Sequence, residues 1–295
     1  FFLNFHGPLV DVSAGRFREN AQIVEISWPS IMLEFIKQIA TEAGLIIKNA
    51  HQKPVEVEEK ISYADLVTAT DKQVENLLKS RILEKYPDHK IIAEESVNSR
   101  CVLSSSPTWI IDPIDGTSNF VSRFPFCAIS IGYYNEKLAQ SSVVYNPITE
   151  QMFHAERGKG AFLNGEKIAV SGCKELSNAL ILTDWGGDRN ASNLDKKCAN
   201  IRRLISEVRG VRTMGSAALH MCQIAAGQGD AFYEFGIHCW DYAAAALIVT
   251  EAGGFCCDIN GSPIDLMARH CVAAATKELA DQVRELIHLI NYGRD

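Results

Sequence analysis

The stretch 108–120, TWIIDPIDGTSNF, sets two carboxylates three residues apart around a proline, directly after an apolar run. Trp109, Ile110 and Ile111 read as a buried strand that ends in Asp112 and Asp115. Other acidic residues share this setting: Asp71 follows a predicted helix N-cap, Glu94 and Glu95 finish HKIIAEES, and Asp241 opens an alanine-rich helix. Singly, each has an ordinary explanation, as a helix-dipole partner, a solvated turn or a turn initiator. Clustered, they repel one another unless a positive charge sits among them. A hard divalent cation takes oxygen ligands, and Mg²⁺ in particular combines a few carboxylates with water and phosphate oxygens. The proline turn would aim Asp112, Asp115 and the Ile114 carbonyl at one cation, while Gly116 and Thr117 offer backbone N–H groups at a helix start, a cradle for phosphate. The chemistry that fits is metal-assisted reaction of a phosphate ester.

The elements that would position these residues follow from periodicity. Residues 28–50 predict an amphipathic helix. A polar connection leads to a helix from Thr70, read as N-cap with Gln73 completing a capping box, and Pro87 lies just past its end. From about 127 to 170 alternating runs broken by Asn146-Pro147, 158–160 and Asn164-Gly165 predict an antiparallel meander. Further helices are expected over 195–209, in SAALHMCQIAAGQGD, and in WDYAAAALIVTEAGG closed by Gly253 and Gly254, with AFYEF a strand between the last two. Blocks of helix and antiparallel strand predict a layered α+β fold.

Composition narrows the partners. The chain has 295 residues, 47% hydrophobic and 22% charged, enough for a sizeable core. Its formal net charge of −7 argues against a nucleic-acid or anionic-membrane binder, both of which need a basic face. A small phosphorylated ligand stays compatible where a bound cation inverts the local charge. Nine scattered cysteines without CxxC pairs read as reduced packing thiols of a cytosolic protein. Residues 1–27 lack the basic and long apolar regions of a signal peptide, so they are read as an N-terminal extension, or a piece of one, beside a single domain over 28–295. The longest apolar helix candidate is too short to span a bilayer.

DPIDGTSNF, AEES and WDYAAAALIVTEAGG, in this order and at these separations, resemble the inositol monophosphatase family, and ADLVTATD, RFPF, GKGAFLNG and YEFGIHCWD match it too. The similarity runs from about residue 28 to the region of Ile290. It implies an αβαβα sandwich of the sugar-phosphatase type and Mg²⁺-dependent hydrolysis of inositol monophosphates in a lithium-sensitive, cytoplasmic homodimer. By resemblance, one metal is held by Glu94, Asp112 and the Ile114 carbonyl, a second by Asp112, Asp115 and Asp241, and a third involves Glu94 and Asp71. Glu94 and Thr117 would orient the attacking water, and Gly116 and Thr117 would grip the phosphate. Asp115, Asp241, Glu234 and the backbone near Ala217 would meet the inositol ring. One departure falls at Gly187, in DWGGD, where relatives often carry a serine; the missing hydroxyl bears on fine sugar selectivity and not on hydrolysis. Lys60 matches a position near the metal entrance, Cys239 lies near the site in sequence, and His238 reads as a satisfied structural histidine rather than a base.

Other readings compete less well. Haloacid-dehalogenase-like phosphatases use D-x-D-x-T, whereas the spacing here is D-x-x-D-G-T, one residue longer. Nucleotide 3'-phosphatases, fructose bisphosphatase and inositol polyphosphate 1-phosphatase share the acidic motif, but the compact spacing between EES and DPIDGT and the GIHCWD block favour the monophosphatase branch. A catalytically dead metal-binding scaffold would be signalled by loss of Glu94, Asp112, Asp115, Thr117 or Asp241; all are present.

Overall fold

The computed structural model describes residues 31–53, 56–60, 62–97 and 101–295, together with the backbone of 10–11, 16–19, 22–25 and 28–30. The first three of those backbone stretches, β1 (Val10–Asp11), β2 (Arg16–Glu19) and β3 (Gln22–Glu25), pair as an antiparallel ribbon. Helix α1 (Trp28–His51) follows, then the hairpin β4 (Val57–Glu59) and β5 (Leu66–Thr68), and α2 (Ala69–Lys85).

A seven-stranded sheet forms next from β6 (Lys90–Ala93), β7 (Thr108–Asp115), β8 (Ala128–Asn135), β9 (Leu138–Asn146), β10 (Gln151–Glu156), β11 (Gly160–Leu163) and β12 (Glu166–Ile168). It is antiparallel from β7 to β12, the predicted meander, with β6 parallel to β7 at one edge. The short α3 (Thr117–Ser122) leaves the end of β7. A second sheet of five strands has the order β14 (Gly210–Arg212), β13 (Leu180–Thr183), β15 (Ala231–Phe235), β17 (His270–Ala274), β16 (Phe255–Cys257). Its helices are α4 (Ala191–Ile205), α5 (Ala217–Ala225), α6 (Cys239–Glu251) and α7 (Lys277–Leu286).

The layers alternate as expected. Helices α1 and α2 cover one face of the large sheet, α5 and α6 lie between the two sheets, and α4 and α7 cover the outer face of the small one. Strand β7 reads as an unbroken apolar run because both its faces are covered. Trp109 and Ile111 join the core beneath α1 and α2, while Ile110 joins the core around α6. Helix α6 is apolar all round because it is enclosed by both sheets. Cys101, Cys127, Cys222, Cys239, Cys257 and Cys271 are buried among these cores, as packing residues. No described helix is long and apolar enough to cross a membrane.

Three local expectations change. Helix α2 starts earlier than read: Thr68, not Thr70, is the N-cap, and the reciprocal partner is Asp71 rather than Gln73. The T-x-x-D pattern of Thr68 and Asp71 competes with T-x-x-Q two residues on, and it wins because Thr68 ends β5 with the extended backbone a cap needs. Glu94 and Glu95 form a 3-10 turn after β6 rather than the end of the strand. The helix expected over 195–209 runs from Ala191 to Ile205, started by an Asn190 cap that accepts from Asn193 N–H.

Candidate active site

Asp112 and Asp115 belong to β7 itself, not to a turn after it. The ladder with β8 pairs Asp112 with Ser130 and Asp115 with Ala128, so one extra residue bulges out of β7 at Pro113-Ile114. Residues three apart in a regular strand face opposite sides; the inserted residue brings both carboxylates to one side. Proline suits the bulge because it has no amide to donate. Asp241 arrives from the first turn of α6. Carboxylate oxygens of Asp112, Asp115 and Asp241 all lie within 4.8 Å of one another.

Each of the three is tied by one oxygen. Ile114 N–H donates to Asp112 Oδ1 at 2.9 Å. Ser216 Oγ and Ala218 N–H, at the start of α5, donate to Asp115 Oδ2 at 2.5 and 2.7 Å. His238 N–H donates to Asp241 Oδ2 at 2.7 Å. Asp112 is 1% and Asp115 7% exposed, and among the described residues no cationic side chain comes within 4 Å of any of the three.

Burial, then mutual repulsion with Glu94, Asp115 and Asp241, pushes Asp112 well above the ordinary carboxylate range. Asp241 is pushed the same way by burial and by Asp115 and Glu94. Burial raises Asp115 to about 6 against the hydrogen bonds from Ser216 and Ala218. An all-oxygen, acidic set, two of its three carboxylates buried and one oxygen of each already engaged, fits a hard divalent cation.

Glu94 lines the same cavity but meets a cation already present in the chain. Lys60 Nζ donates to Glu94 Oε1 and Glu95 Oε1, both at 2.7 Å. Burial raises the Glu94 carboxyl to about 7, with Lys60 opposing and Glu95 adding to it. Asp71 stands behind the cavity wall. It accepts from Thr68 N–H (2.9 Å) and Thr68 Oγ1 (2.5 Å), and the Thr117 hydroxyl lies 3.2 Å from its Oδ1 and 3.1 Å from the Ile114 carbonyl. Thr117 thus couples Asp71 and Ile114 to the start of α3. Gly116 caps that helix at φ 91°, and a Cβ there would stand 2.7 Å from the Gly215 carbonyl, so the backbone turn requires glycine.

The cavity has a volume of about 910 Å³ and extends from this cluster toward Glu234 and Ala217. Glu234, on β15, is 4% exposed; its Oε2 has no hydrogen-bond partner, and burial followed by Asp184 raises its carboxyl far above the ordinary value. Gly187 lies at the rim, where a Cβ would come 2.8 Å from Asp65 Cβ, and Ser62 Oγ donates to its carbonyl at 2.7 Å. The absent serine therefore goes with close approach of the β4–β5 loop.

Several residues lining the cavity or packed behind its wall went unread in the sequence. Asp184 directly follows β13, much as Asp112 lies near the end of β7, a signal that was there to use; it accepts from Trp185 N–H (2.8 Å) and from Gly215 N–H. Lys197, on α4, gave no such signal. It is 5% exposed, donates to the Trp185 carbonyl at 2.5 Å, and has no carboxylate within 4 Å among the described residues. A Cβ on Gly186 would lie 3.7 Å from Lys197 Nζ and 3.8 Å from Glu234 Oε1, so the ammonium and the carboxylate flank the same glycine. Tyr292 and Arg269 also line the cavity, brought there from the C-terminal part of the chain.

Residues 28–291 match the model of the inositol monophosphatase family. The chain belongs to that family. It is 48% identical over 261 residues to human inositol monophosphatase 2, covering 88% of this chain and 91% of that one. It is 44% identical over 271 residues to bovine inositol monophosphatase 1, covering 91% and 98%. Among solved structures, the inositol monophosphatase TM1415 of Thermotoga maritima matches with a TM-score of 0.78 at 31% identity, over 87% of this chain and 96% of that one. The extragenic suppressor protein suhB of Bartonella henselae matches with 0.79 at 30%, over 87% and 98%. Members of this metal-dependent phosphatase family are phosphoric monoester hydrolases, and the α+β layers described above are their fold.

Proposed function

We propose that this chain hydrolyses inositol monophosphates to inositol and phosphate, using water and no covalent phospho-enzyme. The observation that carries the reading is the trio of carboxylates on β7 and α6, Asp112 and Asp115 buried and Asp241 half-buried, within 4.8 Å of one another and without a cationic neighbour among the described residues. The catalytic unit is residues 28–295, with 1–27 as an extension outside it.

Bound Mg²⁺, two to three ions per site, would neutralise the ester's charge and ready a water for in-line attack at phosphorus. Asp112, Asp115, Asp241 and Glu94, with the Ile114 carbonyl and Asp71, are the groups that would hold these ions. Glu94 and the Thr117 hydroxyl orient the attacking water, Thr117 being set by its contacts to Asp71 and Ile114. Backbone amides at Gly116 and Thr117 grip the phosphate, held in place by the left-handed turn at Gly116. Glu234 accepts hydrogen bonds from ring hydroxyls through its unpartnered oxygen, with Asp115, Asp241 and the backbone at Ala217 closing the other side. A buried carboxylate without a partner is expensive in an empty fold, and it becomes satisfied when a polyol donates to it. Gly187, lacking a hydroxyl, leaves ring selectivity to Glu234 and its neighbours. A cytoplasmic homodimer with no nucleic-acid or membrane partner completes the reading.

Phosphate release from inositol 1-phosphate, fructose 1,6-bisphosphate and adenosine 3',5'-bisphosphate, each with Mg²⁺ and with EDTA, tests it. Mg²⁺-dependent release from inositol 1-phosphate in clear preference is expected. Preference for either bisphosphate, or no release from folded protein, would overturn the assignment.

A further inference from the structure

The Asp241 carboxylate is aimed by a backbone amide, and that amide is held by residues outside the acidic cluster. His238 N–H donates to Asp241 Oδ2 at 2.7 Å. The His238 ring is held at both nitrogens and on one face: Nδ1 lies 2.5 Å from Asp295 Oδ1, Nε2 lies 3.0 Å from Arg269 Nη2, and the ring stacks on Trp240 at 4.6 Å and 7°. With Arg269 able only to donate, Nε2 accepts and Nδ1 carries the proton given to Asp295. The second oxygen of Asp295 accepts from Cys239 N–H, the first amide of α6, at 2.8 Å. Asp295 is itself anchored by its own amide on the Met267 carbonyl (3.1 Å), and its side chain is 3% exposed. Arg269, with Nε 3.7 Å from Asp295 Oδ1 and Nη2 on the Gly236 carbonyl (2.9 Å), balances its charge.

We propose that Asp295 is a positioning residue for the cation site: by clamping His238 and Cys239 it fixes the start of α6 and so the direction in which Asp241 presents its second oxygen. The inference rests on the cation-site reading above. A clamp of this kind acts on ligand geometry, as groups that hydrogen-bond metal ligands do elsewhere, where their loss weakens metal binding about 10- to 100-fold. A cap that only stabilised α6 would lower the melting temperature and leave cation affinity alone.

The test is calorimetric Mg²⁺ titration of the whole chain without substrate, together with Tb³⁺ luminescence sensitised by Trp240. Asp295→Ala should weaken Mg²⁺ binding about tenfold, and Asp295→Asn, whose single oxygen can accept from Cys239 N–H or from His238 Nδ1–H but not from both, should recover only part of it. His238→Ala removes the ring but keeps its backbone amide, and should reproduce the loss, with no further loss in the double variant. This second route holds even where Asp295→Ala fails to fold. Unchanged Mg²⁺ affinity in folded Asp295→Ala or His238→Ala would overturn the inference and leave Asp295 as a plain helix cap. Wild-type protein that binds no Mg²⁺ at all would instead sink the cation-site reading beneath it.

Discussion

The two ends of the cavity are built differently. At the cation end, Asp112, Asp115 and Asp241 come from a strand bulge and a helix first turn, and each is tied by one oxygen to a backbone amide. At the other end, proposed above for the ring hydroxyls, Glu234 has an oxygen with no partner, and Lys197 sits across Gly186 without a direct ion pair among the described residues. The first end is strongly acidic, with each carboxylate oriented by a hydrogen bond. The second is a set of separated charges with an unpartnered oxygen, and on the proposed reading it is where substrate preference would be adjusted without disturbing the chemistry.

Breaking the cation end should give the largest effect. Asp112→Asn keeps the acceptor for Ile114 N–H but removes a charge, and Mg²⁺-dependent turnover should fall by about 1,000-fold or more, on the scale of losing a main electrostatic stabiliser. Metal-free Asp112→Asn should melt no lower than wild type, because a repelling charge is gone. Retention of most activity would contradict the assignment. At the other end, Glu234→Gln should raise KM for inositol 1-phosphate about 10- to 100-fold, the range for one charged hydrogen bond. Its kcat on an aryl phosphate without ring hydroxyls should stay within about twofold of wild type; equal losses on both substrates would show that the two ends are not separable. Lys197→Met removes a cation facing Glu234, and a smaller rise of about threefold to tenfold in the same KM is expected, with aryl phosphate turnover again unaffected.

How legible the two ends were in the sequence follows the same division. TWIIDPIDGT announces itself because a buried strand running into carboxylates is locally visible, and a layered α+β fold follows from the period of the runs around it, the αβαβα order coming from the family resemblance. The bulge at Pro113-Ile114 was not legible, since whether an Asp-Pro step turns or bulges depends on the pairing of β7 with β8. Helix α7 and strands β16 and β17 went unassigned although Leu279, Ala280 and Val283 form a buried stripe. Lys197, Tyr292 and Asp295 reach the cavity or its wall only through long-range packing, and no local pattern marks them.

The smallest expected effect is a pH dependence confined to the metal-free protein. The cluster carboxyls hold their protons to higher pH in the fold than in the unfolded chain, Asp115 to about 6 and Glu94 to about 7 against ordinary values of 3.8 and 4.5. The fold therefore binds more protons than the unfolded chain between these limits, and metal-free stability should fall as pH rises from about 4 to about 7. Thermal melts in EDTA across that range check this, and a rise would contradict it.

The most direct test of the central claim, that the Asp112–Asp115–Asp241 cluster is a cation site, is calorimetric Mg²⁺ titration of metal-free wild type at about pH 6 in buffers of different ionisation enthalpy. The account predicts binding accompanied by proton release, both lost in Asp112→Asn. Mg²⁺ binding that releases no protons and survives in Asp112→Asn would place the cation elsewhere and contradict it.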